Sequence, residues 1–248
     1  MEFLTNHRSV RKYIDKKIEQ SLLKELLQAA SCASTTGNMQ LYSVIATESD
    51  DKKRQLAPCH FNQPMVTNAP LVLTFCADFN RFCKWCEQRN ATPGYNNFHS
   101  FLTATIDALL FAQNFCIAAE SKGLGICYLG TTTYNAEKIV EALNLPKFVV
   151  PITTITVGYP EIIPSKSDRL PIEAILHHET YTDYTTADID KHYAYKESLP
   201  ENKKFVADNN KTSLAQIFTD IRYTKQDNET ITTTLIKTLK KQGFQFEF

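Results

Sequence analysis

The apolar positions of this chain recur at helical spacing in some stretches and form unbroken runs in others. Between residues 21 and 32, Leu22, Leu23, Leu26, Leu27 and Ala30 share one helical face, and Ser21 is placed to cap that helix. The small polar stretch 31–38, with Thr35-Thr36-Gly37-Asn38, breaks the period and predicts a loop. A short strand is expected over 43–47, then a charged break over 48–54. Leu71-Val72-Leu73-Thr74-Phe75-Cys76, entered through Pro70, predicts a buried strand. A helix follows over 78–88, and a loop over 90–97 around Pro93-Gly94. The longest helix is expected over 99–122 and stops at Gly123 in a left-handed cap. It is apolar on most faces, so it belongs in a core or an interface. A strand over 125–130, a helix over 135–143 and a β-branched buried strand over 152–157 come next. Pro160, Pro164 and Pro171 exclude long regular structure beyond it. Helices over 189–199, 213–221 and 231–242 complete a more polar tail. With no internal repeat and no clear linker, the pattern predicts one α+β domain with a helical C-terminal extension.

Composition narrows the chemistry. Only 7 of the 248 residues are glycine, where average usage predicts about 17. Neither G-x-G-x-x-G nor G-x-x-x-x-G-K-[ST] occurs, so any phosphate is held without a glycine-rich loop. Lys and Arg number 27, as do Asp and Glu, so no net charge draws in nucleic acid or an anionic membrane. The apolar stretch 101–119 is interrupted by Asp107, Gln113 and Asn114, which argues against a membrane span. Residues 1–7 lack the pattern of a secretory signal. The odd count of seven cysteines fits free thiols, and a cytoplasmic protein is expected. Cys83 and Cys86 form one C-x-x-C pair without the second pair a zinc site needs, and read as two half-buried thiols on one helical turn. No H-E-x-x-H occurs, His177-His178 reads as a surface pair, and no metal site or catalytic triad is expected.

Three segments carry candidate chemistry. In His7-Arg8-Ser9-Val10-Arg11-Lys12-Tyr13, two arginines three residues apart flank a serine. Guanidinium forks match phosphate oxygens in pairs and a hydroxyl completes the shell, although a solvated basic arm has the same composition. Lys166-Ser167-Asp168-Arg169-Leu170-Pro171 could present two more cations, or be an ordinary charged loop. Gly123-Leu124-Gly125-Ile126-Cys127-Tyr128-Leu129-Gly130 holds three of the seven glycines. Such clustering marks close backbone approach by a ligand, or a helix cap followed by a tight turn.

Taken in order, His7-Arg8-Ser9-x-Arg11-x-Tyr13, the polar loop ending at Gln40, Phe75-Cys76-Ala77-Asp78, Ala118-Ala119-Glu120-Ser121-x-Gly123-Leu124-Gly125, Tyr128-x-Gly130 and Arg169-Leu170-Pro171 resemble the oxygen-insensitive nitroreductase and flavin reductase family, in its NADPH-dependent branch. The resemblance runs from residue 3 to about residue 185, and more weakly to Lys241-Gln242-Gly243-Phe244. No single motif is strong, but six in the correct order are specific.

That resemblance implies a mixed β-sheet flanked by helices and FMN bound noncovalently at a homodimer interface. Residues 1–185 would form the FMN-binding core, and 186–248 a helical extension packing on the core or the partner subunit. His7, Arg8 and Ser9 would hold the flavin phosphate, joined by Arg169 and Lys166. Arg11 would lie near the pyrimidine ring and Gln63 at the ring's polar edge. Thr35, Thr36 and Asn38 would reach the flavin from the partner subunit, and Tyr128, Leu129 and Gly130 would back the isoalloxazine. The implied activity is hydride transfer from NADPH or NADH to the flavin and onward, by a ping-pong sequence, to a nitroaromatic, quinone or flavin. FMN would carry this chemistry, with no protein nucleophile required. The chain departs from the family in two places. One extra residue separates Lys166 from Arg169, so that Ser167 could take the lysine's place. Asn209-Asn210-Lys211 offers at most one cation for a 2′-phosphate, which makes NADH a plausible donor. A flavin or nucleotide carrier without turnover would share the same motifs. A nucleic-acid-binding module would need more basic clustering than the neutral chain offers.

Overall fold

The computed structural model describes residues 2–246. The chain divides into two compact units: the residues up to Ser165 together with those from Ile231 onward, and Lys166–Thr230.

The first unit is built on a four-stranded sheet of β1 (Tyr42–Thr47), β2 (Leu71–Asp78), β3 (Gly125–Leu129) and β4 (Val149–Gly158), in the order β1-β2-β4-β3. Every residue of β2 and β4 is buried, as their continuous apolar and β-branched runs require of central strands. All three strand pairings are antiparallel. Among the described residues, parallel pairing occurs in two isolated bridges, Ser9 with Ile126 and Asn97 with Gln245.

The helix Phe98–Ser121 starts at Asn97, whose side chain accepts the Ser100 N–H, and is followed by Gly123 at φ +77°. It has the length and apolarity of a membrane span. Its inner face instead enters the core, where Phe111 stacks on Tyr42 at 4.2 Å and meets Phe75 edge-on at 5.6 Å. The helix Gln20–Ala30 starts one residue earlier than expected, so Ser21 lies inside it and caps nothing.

The expected charged break over 48–54 is in fact a helix, Asp50–Leu56. Ser49 accepts the Lys52 N–H, Asp50 and Asp51 occupy the first turn, and Lys53 and Arg54 the last, all in accord with the helix dipole. Two short helices, Pro64–Asn68 and Pro200–Asp208, have no counterpart in the periodicity. Cys83 is buried and Cys86 half-buried on the helix Asn80–Glu87, and all seven cysteines are free.

The C-terminal helix runs over Lys225–Lys241, six residues longer at its start than predicted. Gly243 then turns at φ +99° and sends Phe244 into the first unit's core against Phe101 and Phe148, both at 5.6 Å. In the second unit, Thr186–Ser198 opens with a reciprocal capping box between Thr185 and Asp188. The helix expected over 213–221 ends at Ile217 and passes into a π turn, Phe218–Arg222.

Candidate functional site

The N-terminal arm runs along the outer edge of β3. Val10 N–H donates to the Ile126 carbonyl at 2.9 Å, and Ile14 N–H to that of Tyr159 at 3.0 Å. Glu161 N–H donates back to Lys12. The Tyr13 hydroxyl pins the arm from below, with Val10 O at 2.6 Å and Thr156 Oγ1 at 2.8 Å. Burial pushes this phenol well above its usual range, so it stays a neutral donor. His7, Arg8 and Ser9 are half-exposed beside this anchored stretch. The His7 ring meets Glu120 at 2.7 Å, and Arg8 folds back to donate to Asn6 O. Arg11 lies over the strand. Burial raises the Cys127 thiol, and the Arg11 guanidinium partly offsets this.

A second segment reaches the same strand from the other direction. Pro58 starts a 3-10 turn, Ala57–His60, and Phe61 and Asn62 take positive φ values of 53° and 54° before Gln63 opens the next helix. His60 is wholly buried, and its Nδ1 meets Thr131 Oγ1 at 2.9 Å. Asn135 donates to Cys59 O at 2.9 Å. These contacts tie the Gln63 turn to the turn after β3, where Thr132 Oγ1 closes on Leu129 O at 2.9 Å. Burial pushes the His60 imidazole down to about 4, so it is neutral at physiological pH. Tyr128 is half-buried and reaches Gln113 at 3.2 Å, while Leu129 is buried and Gly130 exposed.

The glycine cluster resolves into three separate uses. Gly123 is the helix cap. At Gly125 an added Cβ would stand 2.6 Å from Val10 Cβ, so the close approach there is made by the protein's own arm and not by a ligand. At Gly130, which follows β3, the space over the backbone is open, with nothing within 4 Å of a Cβ.

The loop bearing Thr35, Thr36 and Asn38 is set by one buried carboxylate. Asp107, on the long helix, accepts Thr36 N–H at 2.9 Å and Leu41 N–H at 3.2 Å. Gly37 and Asn38 take φ values of 55° and 57° between those anchors. Lys166 and Arg169 belong to the second unit, where both are exposed. Arg169 donates to Asp168 O at 2.8 Å, and Asp168 pairs with Lys196 at 2.7 Å. Lys211 is paired with Asp220 at 2.9 Å.

The structure therefore gathers His7, Arg8, Ser9, Arg11, Gln63, Tyr128, Leu129 and Gly130 around the edge and C-terminal end of β3. Thr35, Thr36 and Asn38 stand on a separate loop. Sequence reading missed His60, Thr131, Asp107 and Glu120. A carboxylate in the middle of an apolar helix was a usable signal for Asp107; the others needed tertiary contacts. Among the described residues, no group of three or more His, Cys, Asp or Glu could hold a metal.

The model of the nitroreductase family matches residues 4–159, and the chain belongs to that family. A protein of Bacteroides fragilis NCTC 9343 of known crystal structure is 59% identical with a TM-score of 0.98, over 99% of this chain and 100% of that one. An FMN reductase [NAD(P)H] of Bacillus subtilis is 32% identical over 98% of this chain and 97% of its own length. An FMN reductase (NADPH) of the same organism is 37% identical over 73% of this chain and 74% of its own.

Proposed function

We propose that this chain is an FMN-dependent NAD(P)H oxidoreductase that passes two electrons to a nitroaromatic, quinone or flavin. The observation that carries the reading is the arginine-bearing arm bonded to the edge of β3, with the Gln63 turn tied to the turn that follows that strand. The named activities of the relatives support it. The residues fit FMN. Arg8, Ser9 and His7 offer donors to a phosphate on a stretch whose backbone is already bonded to β3, so little ordering remains to be done on binding. Gly130 leaves open backbone for a flat ring. FMN, when bound, supplies the hydride chemistry.

The protein's own residues bind and orient. With FMN bound, Arg11 would set a cation beside the ring's polar edge and Gln63 would bond that edge. Tyr128, Leu129 and Gly130 would wall one face and leave donor and acceptor to share the other, as a ping-pong sequence requires. Thr35, Thr36 and Asn38 complete the site in a partner subunit. Lys166 and Arg169 are proposed as further phosphate cations on the resemblance of Arg169-Leu170-Pro171 alone, with weaker FMN retention in Arg169→Ala as the expected outcome. With Lys211 engaged by Asp220, no cation on that stretch favours a 2′-phosphate, so NADH is accepted alongside NADPH. Free thiols fit a cytoplasmic location.

The test is anaerobic addition of NADH or NADPH to the purified protein. The flavin's visible band is expected to bleach, then to return on adding a nitroarene, quinone or free FMN. A protein that holds FMN but does not bleach is a carrier. One that holds no FMN overturns the reading altogether.

A further inference from the structure

Glu120 sits where a carboxylate is least welcome. It occupies the last turn of Phe98–Ser121, where the helix dipole is negative and no basic residue stands nearby on the helix. Its side chain is only 16% exposed. The adjacent Lys122 is committed elsewhere, to Glu25 at 2.7 Å. The groups facing Glu120 from β3 and from its own helix, Tyr128 and Cys116, are uncharged. Among the described residues its one ion-pair partner is the His7 ring, at 2.7 Å across 113 positions of sequence. A partly buried carboxylate against the helix dipole is costly without such a partner, so the pair calls for a reason beyond helix stability.

The hydrogen inventory of imidazole supplies one. Glu120 accepts the Nδ1–H. A neutral ring bonded in that way has a bare Nε2, which repels a phosphate oxygen. Only the ring with both N–H groups donates to Glu120 and to a phosphate together. We infer that Glu120 is a positioning residue for the flavin phosphate: it orients the His7 ring so that, in the complex, Nε2–H, next to Arg8 and Ser9, donates to the phosphate. This rests on the proposed FMN site and goes beyond it, because it makes one end of the core helix part of the choice between FMN and its unphosphorylated relative.

The experiment is a double-mutant cycle read with two ligands. The full chain, freed of flavin, and its variants Glu120→Ala, His7→Ala and the double mutant are titrated with FMN and with riboflavin. Glu120→Ala is expected to weaken FMN roughly tenfold and to leave riboflavin unchanged. Added to His7→Ala, it is expected to cost nothing further. Glu120→Gln keeps an acceptor oxygen without the charge; it should lie between, and it carries the same cycle if the alanine variant does not fold. Equal losses for FMN and riboflavin, or losses that multiply in the double mutant, overturn the role of Glu120. A wild-type chain that binds neither flavin overturns the proposed function itself.

Discussion

Single residues decide whether the arm and β3 fit together. Gly125 has an ordinary φ, so alanine there is excluded by space alone: its Cβ would stand 2.6 to 2.8 Å from three atoms of Val10. Gly125→Ala is therefore expected to destabilise the fold by about 1–3 kcal/mol. Val10→Gly in the same chain should return part of that, since it removes all three clashing atoms. Denaturant melts of the two single variants and the double variant check both, and additive losses would show that the contact is not the cause. His60 adds a pH signature. Its folded pKa is lowered to about 4 by burial, against 6.5 for the free group. The unfolded chain thus binds a proton that the native one refuses, and stability is full above about pH 6.5. It should fall as pH drops through the window between those values, by at most about 1.4 kcal/mol per pH unit, and level off below it. In His60→Phe this part of the acid limb should vanish in melts taken across that window. An unchanged limb would assign the acid sensitivity to other groups.

At the scale of elements, β2 and β4 were legible because burial on both faces leaves an unbroken run of apolar and β-branched residues, and the long helix because it is apolar on most faces. The helix Asp50–Leu56 was not, although Ser49 and the ordered charges signalled it, because a short helix with so few buried residues has almost no apolar period to read. The loop over 35–38 was legible as a loop, but its shape was not. Its positive φ values are held by a carboxylate some 70 residues away, and no local pattern encodes that distance. Asp107→Ala removes the acceptor for two backbone N–H groups at once. Each lost charge-assisted bond is worth about 1.5–3 kcal/mol, so the loop is expected to open locally before the core does. Hydrogen exchange should speed at the Thr36 and Leu41 amides and stay slow in β2. A uniform speeding across the sheet would mean that Asp107 supports the core itself.

For the whole molecule, the same helix that fills the core carries a second face. Phe98, Leu102, Ile106, Leu109 and Leu110 fall on one side and are each between 42% and 50% exposed. Sequence showed a helix apolar on most faces but could not divide core from interface. For the same reason it could list candidate site residues without showing how they are distributed within one chain: the arm from His7 to Arg11 lies along β3, the Gln63 turn is tied to the turn after that strand, and Thr35, Thr36 and Asn38 stand apart. A contiguous apolar stripe on a protein with no net charge is the expected mark of a surface covered by a second copy. Light scattering should give close to twice the chain mass of 28.2 kDa. Replacing Ile106 and Leu110 together by lysine sets like charges against each other across a two-fold axis and should yield the single-chain mass. If the Thr35–Asn38 loop serves the partner's flavin, this monomer should keep its far-ultraviolet helical signal and lose its yellow colour, the two changes titrating together with protein concentration. A wild-type chain that runs as a monomer and still holds FMN would remove the shared site, and with it the role given to Thr35, Thr36 and Asn38.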